Sequence, residues 1–246
     1  MSVLHIKLQN AHLVKHYQKG MQRLLELPIK FGEDCSQNKH NEFFAYLSTL
    51  GGGLVGGDNY FQCFEVENTK ATLQSQSNQK IYKGASTLNT EIKVDDNSVL
   101  VFHNDANIFY KNSDFKSKAC VFAQENSKLF YLDGGYLGYA NGDFKASMLF
   151  RLYINNKLAL NDVFSYEDKT NLLSLYSYEY FYTIIIRANI QIESLHNDEI
   201  IMHTSTINDN QIVRILAKDN DIALKHINEI KLKFLQGVDM NVVITR

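Results

Sequence analysis

The chain has 246 residues, of which 45% are hydrophobic and 12% aromatic, and this is enough to bury the core of one large domain. Its formal net charge of -2 argues against nucleic acid or an acidic membrane as the bulk partner, because such partners select proteins with a basic stripe. The three cysteines, Cys35, Cys63 and Cys120, form no CxxC pair, which excludes the spacing of a structural zinc site and favours a reducing compartment.

The sequence predicts neither a secretion signal nor a membrane span. The stretch MSVLHIKLQN has no cationic region followed by a long apolar run, which is the pattern of a secretory signal. The longest apolar stretch, FYTIIIRANI, is interrupted by Arg187 and is well short of the roughly 20 residues that span a bilayer. We therefore expect a cytoplasmic protein with no membrane partner.

The first element that the sequence predicts is a short helix from His16 to Leu27, in which Gly20 is the weakest position. Most of the chain beyond this segment is typical of strands. The segments YFQCFEV, TEIKV and KACVFA are rich in β-branched and aromatic residues, which favour the pleated, half-buried surface of a sheet.

A glycine-rich segment, GGGLVGGD, runs from Gly51 to Asp58 and precedes one of these strands. A P-loop ends in Gly-Lys followed by Ser or Thr, and an aspartate after the glycines would repel phosphate. A dinucleotide-binding loop is followed by a helix, not by a strand. We therefore expect the glycines to form a tight turn that lets the next strand pack closely, with Asp58 pointing inward.

The middle of the chain contains a repeat of 29 residues, marked by an asparagine and then a short alternating strand pattern. Asparagine tolerates a left-handed backbone or bonds to its own main chain, so each one predicts a turn. Stacked repeats bury a face that one repeat alone cannot bury, and four matches at one offset favour this arrangement over unrelated hairpins. The four asparagines are Asn68, Asn97, Asn126 and Asn155.

A second helix is predicted near the C-terminus. Asp219 or Asn220 can cap its first turn, and Gly237 ends it. One face of this helix carries Ala223, Ile227, Ile230 and Phe234. The sequence as a whole predicts one domain, residues 1–246, that is mainly β and built of stacked, β-solenoid-like layers of about 29 residues, with one or two helices.

The chemistry-bearing residues form no recognisable catalytic constellation, since there is no GxSxG and no cysteine in a nucleophile's setting. The segment HNDAN, from His103 to Asn107, brings imidazole, amide and carboxylate together after a strand, and we interpret it as a turn rather than a metal site. Ser75 and Ser77 lie in an alternating polar stretch, which is typical of a solvated or channel-facing side of a strand. Binding is therefore favoured over catalysis.

Two segments at a fixed separation resemble the UreD (UreH) family of urease accessory proteins. Gly51 to Asp58 is similar to the family's GG-x-x-x-GD motif, and Ser77 to Lys83 is similar to its strand ending in Lys-x-Tyr. The segment YLGYANGDF resembles the family's Gly-Arg…Gly-Glu stretch, although Tyr139 replaces the arginine and Asp143 replaces the glutamate. QIVRILA resembles the family's Arg-x-Leu strand.

The resemblance implies roles for individual residues. It makes Asp58 and Asp143 carboxylates of a nickel conduit, where weak and exchangeable oxygen contacts suit an ion in transit. It assigns no channel role to Gln79. The alternative for Asp58 is that it merely caps the glycine turn. The residues expected to have motif or structural roles are Gly51, Gly52, Gly53, Gly56, Gly57, Lys80, Tyr82, Gly142 and Arg214.

The resemblance also implies a fold and a function. The fold is a mainly β stack of strands with a couple of helices, in agreement with the repeat. The function is that of a non-catalytic chaperone for urease maturation, which binds apo-urease and a UreF homologue. UreF recruits the GTPase UreG, and nickel passes through the UreD-like protein to the urease active site. No tightly bound cofactor is expected, only nickel in transit.

Two other functions stay open at this point. A β-solenoid-like binding module for carbohydrate or protein would be favoured by exposed aromatic residues in a row, and tyrosines are plentiful in LYSYEYFY. An enzyme, for instance a hydrolase that uses Asp58 and Asp143, would need both carboxyl groups in one cleft, about 5–10 Å apart.

Overall fold

The computed structural model describes residues 1–27, 42–139, 143–168 and 178–240. The strands and the helix of this part are, in chain order, β1 (Ser2–Gln9), β2 (His12–Lys19), β3 (Gln22–Glu26), β4 (Glu42–Thr49), β5 (Gly53–Leu54), β6 (Asn59–Glu67), β7 (Lys70–Ser75), β8 (Lys80–Ile81), β9 (Gly84–Val94), β10 (Val99–His103), β11 (Asn107–Phe109), β12 (Ser113–Ala123), β13 (Lys128–Tyr136), β14 (Asp143–Ile154), β15 (Lys157–Asp168), β16 (Tyr180–Arg187), β17 (Leu195–His196), β18 (Ile200–Ile207), β19 (Asn210–Ala217) and α1 (Asn220–Gly237).

The central strands wind into a parallel β-solenoid. Each of three coils passes through a long strand, a short strand and a second long strand, namely β4–β5–β6, β7–β8–β9 and β10–β11–β12. Lys70 of β7 pairs with Val99 of β10, and Val99 pairs with Lys128 of β13, so these coils are 29 residues apart. The predicted β-solenoid-like stack is confirmed.

The asparagine turns of the repeat explain how the coils are joined. Asn68, Asn97 and Asn155 have φ angles of 43°, 60° and 48°, which is the left-handed backbone that asparagine tolerates. The fourth match does not start a further coil. After Asn155, β15 turns back and pairs antiparallel with β14, so this turn closes a hairpin instead of joining two coils.

The long strands form two facing sheets. Sheet A has the strand order β15-β14-β12-β9-β6-β1-β2, and sheet B has the order β17-β18-β19-β16-β13-β10-β7-β4-β3. The short strands β5, β8 and β11 form a third row at one edge of sheet B. Inward-facing apolar side chains fill the space between the sheets, among them Leu4, Phe64, Leu73, Phe102, Tyr131 and Leu152.

Helix α1 covers the outer face of sheet B, as the burial of its predicted apolar face requires. Its four predicted face residues are Ala223, Ile227, Ile230 and Phe234, and all are at most 4% exposed. Asp219 caps the helix by accepting the backbone N–H of Asp221 at 2.7 Å. Within the described ranges, no helix combines the length and the apolar character that a membrane crossing requires.

The prediction of a helix from His16 to Leu27 is wrong, because these residues contribute to β2 and β3. Gly20, with a φ of 88°, turns the chain between the two strands. A side-chain carbon at Gly20 would lie 2.8 Å from the Ser2 hydroxyl oxygen, so the turn packs directly against β1. Antiparallel pairing of β2 with β1, and of β3 with β4, outweighs the local helical pattern.

Candidate functional site

A polar cavity of about 50 Å³ lies between the two sheets, at the end of the coils where β4, β7 and β10 finish. Three of its lining residues, Ser75, Asn104 and Asp133, are 29 residues apart in sequence and follow one another from coil to coil. The side-chain amide and carboxyl groups that line it belong to Gln62, Asn78, Gln79, Asn104, Asp105, Asn107 and Asp133. A cavity of this size has room for a few water molecules.

Asp133 is the most constrained of these groups. Its Oδ1 accepts the side-chain N–H of Asn107 at 3.0 Å and the backbone N–H of Gly134 at 2.9 Å. Its Oδ2 accepts the hydroxyl of Tyr131 at 3.3 Å. Burial raises the pKa of Asp133 to about 6, although these three hydrogen bonds favour the carboxylate.

Hydrogen bonds between neighbouring coils fix the other polar groups. The hydroxyl of Ser75 accepts the backbone N–H of Asp105 at 2.7 Å, and the side-chain amide of Asn78 donates to the carbonyl of Ala106 at 3.0 Å. The side-chain nitrogen of Gln79 is buried and has no hydrogen-bond partner among the described residues. Gln79 therefore offers the cavity an amide, and whether it has a channel role stays a prediction.

Asp133 also lines a second cavity, of about 30 Å³, which extends toward β14, β15 and β16. Asp162 lines this second cavity too. Arg214, one of the predicted motif residues, forms an ion pair with Asp162, so it compensates the charge of a carboxylate that is 13% exposed. The second cavity is lined mainly by apolar and aromatic side chains, with Asp133 and Asp162 among its few polar groups, and Asp133 lines both cavities.

Three ionisable side chains under helix α1, those of His103, Asp105 and Lys231, lie next to the first cavity. His103 Nε2 lies 3.5 Å from Asp105 Oδ1, and burial lowers the pKa of His103, which favours a neutral imidazole. Lys231 of α1 donates to the side-chain oxygen of Gln74 at 3.1 Å, and burial lowers its pKa to about 8. Asp105 thus faces both the cavity and two basic side chains whose pKa values are lowered by burial.

The predicted metal residue Asp58 lies in the turn before β6 and lines neither cavity. Its Oδ2 accepts the backbone N–H of Val55 at 2.9 Å, and its own N–H donates to the carbonyl of Val55 at 3.0 Å. The carboxylate is therefore turned to its own loop rather than inward, as in the turn-capping alternative. A nickel role for Asp58 stays a prediction.

The glycines of the same segment shape the turn and its contact with the next coil. Positive φ angles occur at Gly51, Gly52 and Gly57, with values of 82°, 75° and 94°. A side chain at Gly53 would overlap the carbonyl oxygen of Lys80, because β5 pairs with β8. Gly56 lies against the backbone of Lys83 in the same way. Tight turning and close approach of two coils explain why glycine occupies these positions.

Of the remaining predicted residues, the structure describes Lys80 and Tyr82 in full, and only the backbone of Asp143. Lys80 forms β8 together with Ile81, and the ring of Tyr82 stacks on Tyr110 with the ring centres 5.0 Å apart. Gly142 lies outside the described residues. Asp143 begins β14 and pairs in register with Asp168, but its side chain is outside the described part of the chain. The predicted nickel role of Asp143 therefore stays a prediction.

Sequence reasoning missed Asp133 as a site residue, and it interpreted His103 to Asn107 as a plain turn. The signal that could have found the cavity is the repeat itself. Ser75, Asn104 and Asp133 follow the strands at the same 29-residue interval as the asparagine turns. A polar residue that recurs at the coil period, two positions after an inward-facing apolar residue and so on the same face of the strand, predicts a polar row inside a solenoid.

Comparisons with known proteins give one consistent result. A family model described as UreD urease accessory protein matches residues 12–237. The chain is 40% identical to a urease accessory protein UreD of Corynebacterium glutamicum over 73 residues, which cover 28% of this chain and 26% of the relative. It is 27% identical to the UreD protein of Bacillus cereus over 177 residues, which cover 66% of this chain and 64% of the relative.

A third similar protein is the urease accessory protein UreD of a Staphylococcus aureus strain, with 36% identity over 90 residues. This match covers 35% of the present chain and 32% of the relative. In each of these comparisons the chain spans less than two thirds of the length of the curated relative.

Proposed function

The chain belongs to the UreD family of urease accessory proteins, and from that premise we propose that it is a non-catalytic scaffold for urease maturation in the cytoplasm. It binds apo-urease and a UreF homologue, and UreF brings the GTPase UreG into the complex. Nickel enters the scaffold as cargo and travels through its interior to the urease active site.

The observation that carries the proposal is the row of polar groups along the first cavity, which ends at Asp133. The row offers amide, hydroxyl and carboxylate oxygens, one group after another along the coil axis. Nickel binds imidazole and thiolate more readily than neutral oxygen donors, so a row of oxygens holds the ion weakly enough for it to move on. Asp133 and Asp105 supply negative charge that keeps a divalent cation inside.

The scaffold part of the proposal is tested by co-purification. The tagged chain is co-expressed with the host's urease structural subunits and its UreF homologue, and the eluted proteins are identified. We expect both partners to elute with the chain. A soluble, folded chain that elutes alone under these conditions would contradict the scaffold function.

The conduit part is tested by the nickel content of urease that matures in the presence of variants. Asp133→Asn removes one negative charge from the interior, and at about 4 Å from a divalent ion this charge contributes several kcal/mol at an effective dielectric constant of about 20. We expect urease nickel content to fall at least about tenfold. Asp114→Asn, on β12 and away from both cavities, is the matched control.

Asp58→Asn in the same assay decides whether the nickel conduit runs through the cavity at Asp133 or past the glycine turn at Asp58. The interior route predicts that Asp58→Asn alters nickel content much less than Asp133→Asn does. If Asp58→Asn abolishes nickel loading while Asp133→Asn leaves it normal, the conduit runs past the glycine turn and not through the cavities. Co-purification of each variant with urease shows that complex formation is retained.

A binding module for carbohydrate is the second candidate, and one observation favours it. The rings of Tyr82, Tyr110 and Tyr139 stack in a row, with ring centres 5.0 Å and 5.4 Å apart, and Tyr139 is 55% exposed. Sugars bind to such aromatic rows through their apolar faces. A glycan screen that gives a specific hit lost in Tyr139→Ala would favour this function.

A further inference from the structure

Three side chains with metal-binding atoms meet on the outer face of sheet A. His5 lies on β1, and Cys63 and Glu65 lie on the neighbouring parallel strand β6. One ligand atom from each, the imidazole nitrogen, the thiol sulfur and a carboxylate oxygen, lies within 4.8 Å of the others. The triad differs in chemistry from the polar row of the cavity, because its metal-binding atoms are one nitrogen, one sulfur and one oxygen.

The strand register explains why the three groups meet. His5 is directly opposite Cys63, and Glu65 is two residues further along β6, on the same face of the sheet. The alternate residues Leu4 and Phe64 point into the core between the sheets. The triad is therefore fixed by backbone pairing rather than by a flexible loop, and its backbone positions are preorganised.

We propose that His5, Cys63 and Glu65 bind one divalent transition-metal ion with the preferences of zinc, and that water completes the coordination. Three protein ligands and one open position are the usual arrangement of such a site. The proposal is independent of the conduit and of the urease function, because none of the three residues lines an interior cavity.

The present distances fit such a site after a small adjustment. His5 Nε2 and Glu65 Oε1 are 2.7 Å apart, in a hydrogen bond that lowers the pKa of Glu65. Ligand bonds of about 2.0–2.3 Å with tetrahedral angles place neighbouring ligand atoms about 3.3–3.8 Å apart. The imidazole and the carboxylate would need to separate by about 0.7 Å to admit the ion, and rotation of the Glu65 side chain provides this.

The burial of Cys63 determines the side from which an ion would enter. The residue is 5% exposed, whereas the side chains of His5 and Glu65 are 24% and 23% exposed, so the ion would enter from the side of the latter two. Burial, and then the negative charges of Glu91 and Glu65, raise the pKa of the Cys63 thiol to about 11. The carboxylates that hinder formation of the thiolate attract a metal ion, which displaces the thiol proton when it binds. Lys93 and Lys15 act in the opposite direction.

The experiment is a Co²⁺ titration of the full chain, purified with a histidine-free tag and stripped of metal by a chelator. Cys35 and Cys120 are replaced by serine, so that Cys63 is the one remaining thiol. We expect one equivalent of Co²⁺ to produce the near-ultraviolet charge-transfer band of a thiolate–cobalt bond. Zn²⁺ should displace the cobalt and abolish the band.

The variants make the assignment specific. Cys63→Ser should abolish the band, and His5→Ala and Glu65→Gln should each weaken Co²⁺ affinity by more than the roughly tenfold that loss of an outer-shell partner costs. The matched controls are His16→Ala and Glu67→Gln, which remove an imidazole and a carboxylate from neighbouring positions of the same sheet and should leave the affinity unchanged. Circular dichroism of the metal-free proteins confirms that each variant is folded.

Two results would overturn the proposal. One is the absence of a thiolate–cobalt band in the folded parent protein, which would leave the contact of His5 with Glu65 as an ordinary ion pair. The other is a band that His5→Ala and Glu65→Gln weaken no more than the controls do. If Cys63→Ser fails to fold, the affinities of these two variants still decide the outcome.

Discussion

The interior of the solenoid and the outer face of sheet A present a cation with opposite chemistry. Inside, amide and carboxyl groups such as Gln79, Asn107 and Asp133 come one from each successive coil, and they are spread along the axis. Outside, His5, Cys63 and Glu65 come from two adjacent strands and converge on one point. The same ladder of parallel strands produces both arrangements.

The difference teaches that register decides what a polar residue can do in a solenoid. A residue that recurs at the coil period forms a line, and a line of weak donors suits transport. Different side chains that are paired across two strands converge on one position, and such a mixed set of ligands suits holding a metal ion in place. Four substitutions test this contrast, each acting on one side of the sheet.

The largest effect is expected from Gly53→Val, which damages the interior alone. The new side chain would collide with the carbonyl oxygen of Lys80 and force the first two coils apart where β5 pairs with β8. We expect a loss of at least about 3 kcal/mol in unfolding free energy. Urea denaturation measures the loss, and where the variant is insoluble the soluble yield reports it.

Gly52→Ala is the control for this substitution. A side-chain carbon at Gly52 would have no atom within 4 Å, but the φ of 75° at this residue is unfavourable for alanine. The expected cost is therefore only about 1 kcal/mol. Equal losses for Gly53→Val and Gly52→Ala would show that backbone conformation, not the spacing of the coils, governs this region.

Asp133→Asn removes the interior charge and should change how stability depends on pH. The pKa of Asp133 is about 6 in the folded protein and 3.8 in the reference state, so between these values the folded state binds more protons than the unfolded state. Stability of the wild type should therefore fall as pH rises through this window, and stay low above it.

The variant has no such titration, so at about pH 7.5 it should be more stable than the wild type by about 3 kcal/mol, and the difference should shrink toward pH 4. Guanidinium denaturation at several pH values measures this. A difference that is constant with pH, or that Asp114→Asn reproduces, would contradict the assignment to Asp133.

Arg214→Gln acts at the far end of the interior. It leaves Asp162, which is 13% exposed, without the guanidinium that compensates its charge. Because Arg214 itself is 44% exposed, solvent screens much of the interaction, and the expected loss is about 1 kcal/mol. A double-mutant cycle with Asp162→Asn measures the coupling directly, and purely additive losses would show that the pair contributes nothing.

The smallest effect in the absence of metal is expected from His5→Ala, which acts on the outer face alone. A partly exposed ion pair contributes about 0.5 kcal/mol. With Zn²⁺ present, the melting temperature of the wild type should rise and that of His5→Ala should not. Lys7→Ala, which breaks the neighbouring ion pair with Glu67 at 2.6 Å, is the control and should keep the zinc response.

The sequence predicted the repeat because the turn residues carry a local signal. Asn68 and Asn97 adopt the left-handed backbone that their side chains tolerate, and their spacing directly reports the coil length. Helix α1 was equally predictable, since its cap and its apolar face are both local patterns. The helix from His16 to Leu27 was not correctly predicted, because pairing with β1 is a long-range interaction that no local pattern contains.

The candidate site was less predictable than the fold. Asp58 drew attention because it belongs to a motif, whereas Asp133 belongs to an ordinary strand pattern. Whether an aspartate within a strand faces water or a closed cavity depends on residues from other coils, such as Asn107. The triad on sheet A depends in the same way on the pairing of β1 with β6, in which His5 lies opposite Cys63, 58 positions further along the chain.

The 29-residue period has a consequence for how such a chain can change in length. Removal or duplication of one complete coil, for example the segment from Lys70 to Ser98, would leave every remaining strand in register with its new neighbour. The interior row would become shorter or longer by one strand spacing, about 4.8 Å. A deletion of a single residue within a strand would instead turn its inward side chains outward. The solenoid can therefore be lengthened or shortened only by whole coils, and each coil adds or removes its own polar side chains in the cavity.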